Sequence, residues 1–229
     1  MAPHPLLGDP ESGPVNDPKY SELRENYEMA GMLESTVLAD PIAQFHRCFD
    51  EVLARNVSEA NAMSLATVSP QGIPSVRMVL LKALDARGFC FYTSYNSRKA
   101  VDLAANNFAA ICFYWKELER QVRAVGSVFT LPREESEAYF ATRPRASQIG
   151  AWVSAQSAEI PGRETLDTAQ RHYEQVFENQ PVPMPNFWGG YVLVPHEMEF
   201  WQGRPGRLHD RIHYHRQSDS SWRISRLSP

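Results

Sequence analysis

Residues Ala62–Ser94 read "AMSLATVSPQGIPSVRMVLLKALDARGFCFYTS". Three runs rich in β-branched, aliphatic or aromatic residues, AMSLATV, SVRMVLLKAL and FCFYTS, are separated by the turn-rich segments SPQGIP and DARG. Short apolar runs bounded by tight turns predict consecutive antiparallel strands rather than βαβ units. Side chains alternate along a strand, so Arg77, Val79 and Leu81 fall on one face and Met78, Leu80 and Lys82 on the other. If that strand is buried on both sides, each cation needs an anion or a carboxylate; near the strand ends, both reach water instead.

Outward toward the N-terminus, ADPIAQFHRCFDEVLARN predicts a helix. Asp40 is its N-cap, Pro41 takes the first helical position, and Ile42, Phe45, Phe49, Val52 and Leu53 form its apolar face. A short helical segment is expected over Ser21–Thr36. Residues 1–20 hold five prolines and little apolar periodicity, so a disordered or loosely docked tail precedes a single domain over 21–229. Toward the C-terminus, a helix from Ser97 is followed by the hairpin FAAICFYWK and RQVRAVGSVFTL through ELE. Helical stretches PREESEAYFATRP and PGRETLDTAQRHYEQVFENQ come next, then the strand-like YVLVP, EMEFWQ, RIHYHR and WRISRL. About eight short strands with helices between them predict an α+β protein on a closed antiparallel barrel.

Composition narrows the classes. A chain of 229 residues with 43% hydrophobic content can bury a full core, and a net charge of -4 gives no basic field for non-specific nucleic-acid binding. Its cations are 19 arginines against four lysines, which a bias of composition or a need for bidentate anion recognition explains equally. Cys48, Cys90 and Cys112 lie far apart in apolar runs, as buried reduced thiols would, and point to a cytoplasmic protein. No signal segment or membrane-length apolar run is present. The glycines form no GxGxxG or GxxxxGK pattern, GxSxG is absent, and "HEMEF" at His196 lacks the second histidine of a HExxH site.

Four stretches carry candidate chemistry. "NSRKA" at Asn96 places Arg98 and Lys99 at a helix start, where free N–H groups favour an anion; a capped helix with solvated charges is the plainer reading. In "RQVR", Gln121 and Arg123 share one strand face and Arg120 and Val122 the other. In "YFATRPRAS", Tyr139, Arg143 and Ser147 recur at intervals of four, one side of a helix if Pro144 allows it. Near the C-terminus, "FWQGRPGRLHDR" (Phe200–Arg211) holds Arg207 and His209, which extended chain would put on one side with Arg211, and Asp210 on the other.

Together, NAMSLATV, RMVLLK, FYTSYNSRK, RQVRAVG, YFATRPRASQIGAWVSAQS, WGGYVLVP and EFWQGRPGRLHDR resemble, in order, the motifs of the pyridoxine (pyridoxamine) 5'-phosphate oxidase family. The resemblance runs from about Arg24 to Pro229 and its long motifs are specific. It implies an FMN-binding split β-barrel, antiparallel and Greek-key-like with flanking helices, acting as a homodimer with active sites at the subunit interface. Family positions for the flavin match Arg77, Met78, Val79, Leu80, Lys82, Tyr92, Thr93, Arg98, Lys99, Gln121, Gln156, Ser157, Trp201 and Arg211. Those for the substrate match Lys82, Tyr139, Arg143, Ser147, Arg207 and His209, the last two also as catalytic residues, with Arg24 and Tyr27 as lid residues.

The reaction so implied belongs to vitamin B6 metabolism. Pyridoxine 5'-phosphate or pyridoxamine 5'-phosphate loses hydride equivalents from its 4' carbon to FMN, and O2 accepts them as H2O2. The amine yields an imine that water hydrolyses to pyridoxal 5'-phosphate and ammonia. No metal, nucleic acid or membrane is required. Two rivals remain at this level. One is a metal hydrolase using His209, Asp210, His213 and His215, since His213 and His215 share a strand face. The other is a flavin- or haem-utilising split-barrel binding protein without oxidase activity.

Overall fold

The computed structural model describes Tyr27 and residues 31–229, and among them nine strands join in one antiparallel sheet. Chain order is α1 (Pro41–Ala54), β1 (Ala62–Val68), β2 (Pro74–Leu80), β3 (Ala83–Asp85), β4 (Gly88–Ser94), α2 (Arg98–Ala105), β5 (Phe108–Trp115) and β6 (Arg120–Thr130). Then come α3 (Arg133–Thr142), α4 (Arg145–Val153), α5 (Arg163–Val176), β7 (Trp188–Gln202), β8 (Asp210–Arg216) and β9 (Trp222–Arg226). Strands follow the order β2-β1-β5-β6-β7-β4-β3, with β8 on β7 and β9 on β8. One edge of β7 is therefore shared: β4 takes its first half and β8 its second. Strands β2 and β4, distant in this order, line one cleft, so the sheet curls into a half-barrel of a mixed α+β fold.

Helix α1 fills the curl. Asp40 caps it by accepting the Ile42 N–H at 3.0 Å, and Phe45 meets Phe89 of β4 and Phe113 of β5 at ring distances of 5.1 and 5.0 Å. Truncating such a fully buried ring costs about 3–5 kcal/mol. The predicted face holds at Ile42, Phe45, Phe49 and Val52, whereas Leu53 is 52% exposed. A second, smaller cluster joins α3, α4, Phe177, Val182, Met184 and Trp188.

Several elements differ from their sequence reading. The run SVRMVLLKAL is two strands, because β2 pairs with β1 while β3 pairs with β4, and Leu81 and Lys82 make the change of partner. Strand β2 is also not buried on both sides: Val76 and Met78 are 69% and 64% exposed. YVLVP and EMEFWQ fuse into the 15-residue β7. The register shifts at Val125/Gly126, leaving His196 as the extra residue between Glu197 and Pro195, and Gly126 is needed there because a Cβ would stand 2.0 Å from Val194 O. ASQIGAWVS, not predicted as helix, forms most of α4. Residues 31–33 have no regular structure and 34–36 form a turn, not a helix; the expected tail over 1–20 and helical residues 21–26 and 28–30 lie outside the described residues. Cys48 and Cys90 are buried free thiols and Cys112 is half-buried.

Candidate active site

A cleft of about 1070 Å³ opens between β2, β4, the start of α2 and the α3–α4 bend. Helix α2 begins at Ser97, whose hydroxyl does not cap it but donates to Ser94 O at 2.7 Å. The Arg98 N–H instead reaches Ser157 Oγ at 3.2 Å, with Ser157 held at φ 74. Lys99 turns inward and donates to Thr93 Oγ1 at 2.9 Å, Ser97 Oγ at 3.1 Å and Gln156 Oε1 at 3.1 Å. Burial, with Arg77 adding its positive charge, pushes this ammonium down to about 8.

Arg77 stands beside this group. It donates to Thr67 Oγ1 at 2.7 Å and Ser75 Oγ at 2.5 Å, and Asp102 of α2 accepts from both hydroxyls and lies 4.0 Å from the guanidinium. The carboxylate demanded for Arg77 is thus present. Burial lowers the Arg77 pKa, Asp102 opposes that and Arg98 reinforces it. Three cations therefore converge at one point of the cleft wall.

The opposite wall is built differently. Pro144 disfavours helix at the preceding residue, so Arg143 is extended (φ -71, ψ 148) and α3 ends there. Tyr139, Arg143 and Ser147 do not share one helix side, yet the bend brings all three to the cleft with Lys82. Tyr139 stacks on Tyr92 at 3.9 Å, and the Arg143 guanidinium lies 4.7 Å from the Trp188 ring centre. Burial pushes the Arg143 pKa down, and its buried Nη1 has no hydrogen-bond partner. A buried donor in that state calls for an anion.

Arg77, Met78, Val79, Leu80, Lys82, Tyr92, Thr93, Arg98, Lys99, Tyr139, Arg143, Ser147, Gln156 and Ser157 all line this cleft. Tyr27, Gln121, Trp201, Arg207, His209 and Arg211 do not line it. Trp188 and Trp201 sit near opposite ends of β7, roughly 40 Å apart along extended chain. At the Trp201 end, Tyr27 lies edge-on to Trp201 at 5.7 Å and to His209 at 5.6 Å. Arg207 is in a short turn at φ 62, so strand alternation does not run from it to His209, as the sequence had implied. Arg211 donates to Glu199 at 2.8 and 3.0 Å, and Arg123 also bonds Glu199. Burial alone would raise Glu199, but the two guanidiniums outweigh it and hold the carboxyl below its usual value. Arg24 lies outside the described residues.

Sequence reasoning missed Asp102, Thr67, Ser75 and Trp188. Trp188 was hidden in a proline-rich link, and Asp102 in an unremarkable amphipathic helix. His213 and His215, the rival metal pair, lie 3.5 and 3.2 Å from the two oxygens of Glu197, and no metal-holding cluster of three or more His, Cys, Asp or Glu occurs among the described residues. No helix among them is long and apolar enough to cross a membrane.

Comparison with known proteins identifies the family. A family model described as pyridoxamine 5'-phosphate oxidase matches residues 49–177, and one described as the pyridoxine 5'-phosphate oxidase C-terminal dimerisation region matches residues 188–229. A Cupriavidus taiwanensis protein named pyridoxine/pyridoxamine 5'-phosphate oxidase is 54% identical over 92% of this chain and 99% of its own length. A Nostoc punctiforme protein of the same name is 50% identical over 93% and 100%. Among solved structures, PhzG from Burkholderia lata 383, in complex with tetrahydrophenazine-1-carboxylic acid, superposes with TM-score 0.83 at 28% identity over 88% of this chain and 99% of that one. An FMN-binding protein from Nostoc punctiforme shares the fold at TM-score 0.66 and 18% identity, over 81% of this chain and 97% of its own. The chain belongs to the pyridoxamine 5'-phosphate oxidase family.

Proposed function

We propose that this chain is an FMN-dependent, cytoplasmic oxidase, within one domain over 21–229, that converts pyridoxine 5'-phosphate or pyridoxamine 5'-phosphate to pyridoxal 5'-phosphate. O2 is the acceptor, with H2O2 as product and ammonia released from the amine. The observation that carries this reading is the unpartnered, buried Arg143 Nη1 facing the Arg77, Arg98 and Lys99 group across one cleft. Two phosphate esters, one on the cofactor and one on the substrate, require two separate cation groups.

The residues present fit FMN. Lys99, Arg98 with its backbone N–H, Ser157 and Gln156 hold its phosphate, while Arg77–Leu80, Tyr92 and Thr93 border the rest. Bound FMN supplies the acceptor for the hydride leaving the substrate and the route from there to dioxygen. Lys82, Tyr139, Arg143 and Ser147 bind the substrate's phosphate and fix its distance from the wall of β2. Tyr27, Gln121, Trp201, Arg207, His209 and Arg211 complete the site from a second subunit, because β7 holds the two sets apart within one chain. The match to a dimerisation region over 188–229 supports that homodimer.

The visible spectrum before and after anaerobic addition of pyridoxine 5'-phosphate tests the reading. A flavin band that bleaches and returns in air is expected; a colourless protein, or a band that does not respond, overturns it. The likeness to PhzG over nearly all of that chain favours one second reading, a related oxidase acting on a carboxylated fused-ring substrate. Bleaching by such a compound and not by the phosphate esters would select it.

A further inference from the structure

Asp210 joins segments far apart in sequence. Its Oδ2 accepts the Met32 N–H at 3.0 Å and lies 3.7 Å from Arg204 Nε, while its Oδ1 accepts from Arg226 Nη1 at 2.5 Å. Arg226 continues past it, donating to Met32 O at 2.9 Å and to Glu34 at 2.7 and 2.8 Å. Gly31 permits the approach, since a Cβ there would stand 2.7 Å from Arg204 Nη1 and 2.8 Å from Asp210 Oδ2. On the loop side, the Arg204 backbone N–H donates to His209 Nδ1 at 3.1 Å. His209 in turn lies 4.7 Å from Trp201, ring to ring, and edge-on to Tyr27. Gly203 allows Tyr27 to sit there, because its Cβ would meet Tyr27 Cγ at 2.7 Å.

We propose that Asp210 is a positioning residue for His209. It clasps the Met32–Glu34 segment to the loop Gly203–His209 and so fixes the direction in which the imidazole faces its substrate. The proposal rests on His209 meeting substrate as read above. Both carboxylate oxygens are engaged by donors. An asparagine keeps one acceptor oxygen and turns an NH2 toward either Met32 N–H or Arg226, so the isosteric change opens the clasp without removing volume.

Steady-state kinetics on the flavin-loaded enzyme tests this. Asp210→Asn should lower kcat/KM for pyridoxamine 5'-phosphate roughly tenfold, with flavin content unchanged. In a His209→Ala background the same change should have no further effect, because no imidazole is left to position. Fully multiplicative losses overturn the proposal. Hydrogen exchange reads the clasp without substrate: faster exchange at Met32 and residues 203–209 in Asp210→Asn is expected, and unchanged protection overturns it. If the wild-type enzyme oxidises neither phosphate ester, the functional reading fails, while the exchange result still decides the clasp. Should Asp210→Asn not fold, Arg226→Met, at an exposed position of β9, should show the same loss and the same dependence on His209. A fully active Arg226→Met overturns the clasp.

Discussion

Across 57 residues of chain, the Lys99 ammonium donates to Gln156 Oε1 at 3.1 Å, and Thr93 donates to that same oxygen at 2.9 Å. The start of α2 is thereby tied to the segment after α4. Thr93, Ser97 and Gln156 offer Lys99 only neutral oxygens, so a phosphate is its natural counter-ion. Lys99→Met should weaken FMN binding roughly ten- to a hundred-fold, the loss of one charge-assisted contact. Riboflavin, which lacks the phosphate, should bind nearly as it does to the wild type. Fluorescence titration of apoprotein with both flavins measures this, and equal losses for both would move the phosphate elsewhere.

The pH dependence follows from the same group. In the folded chain burial pushes Lys99 down to about 8 from its ordinary 10.5, so between those values the unfolded chain binds more protons. Its destabilising effect on the apoprotein is full below about 8 and fades as pH rises toward 10.5. On the proposed reading the FMN phosphate pairs with the protonated form, so FMN affinity should be flat from neutral pH to about 8 and fall above it. Lys99→Met should abolish that fall. A wild-type binding curve flat to pH 9.5 would contradict this.

Arg143 should govern recognition of the substrate's phosphate. Arg143→Ala should raise KM roughly ten- to a hundred-fold and lower kcat less, and unphosphorylated pyridoxine should be a very poor substrate for the wild type. Equal turnover of pyridoxine and its phosphate would remove this role.

His209 offers a test that depends on which nitrogen carries the proton. Nδ1 accepts the Arg204 N–H, which leaves the neutral ring with its hydrogen on Nε2, as a donor. His209→Gln should therefore retain more of the anaerobic flavin reduction rate than His209→Ala, with bound flavin unchanged in both. Single-turnover spectroscopy compares them; identical rates would show that no donor is needed there.

Much of this was legible in the sequence where local rules act alone. Turns SPQGIP and DARG and the cap Asp40 mark their elements directly, and the cleft stretches RMVLLK, NSRKA and YFATRPRAS are visible by their cations. Long-range competition hid the rest. Leu81 and Lys82 look like strand interior, and only the change of partner from β1 to β4 shows the break. Pro195 looks like a strand end until Gly126 is seen to accommodate it. The contact of Asp102 with Arg77 depends on how α2 lies against β1 and β2, which no spacing in sequence reports.

The length of β7 has a genetic consequence. With Trp188 near one end and Trp201 near the other, an Arg143→Ala subunit and a His209→Ala subunit carry damage to different halves of the proposed shared site. A mixed dimer then has one site with both defects and one with neither. Two impaired alleles in one cell should complement each other, recovering about a quarter of full activity at substrate levels well below the Arg143→Ala KM if subunits pair at random, while either allele alone shows only its own residual activity.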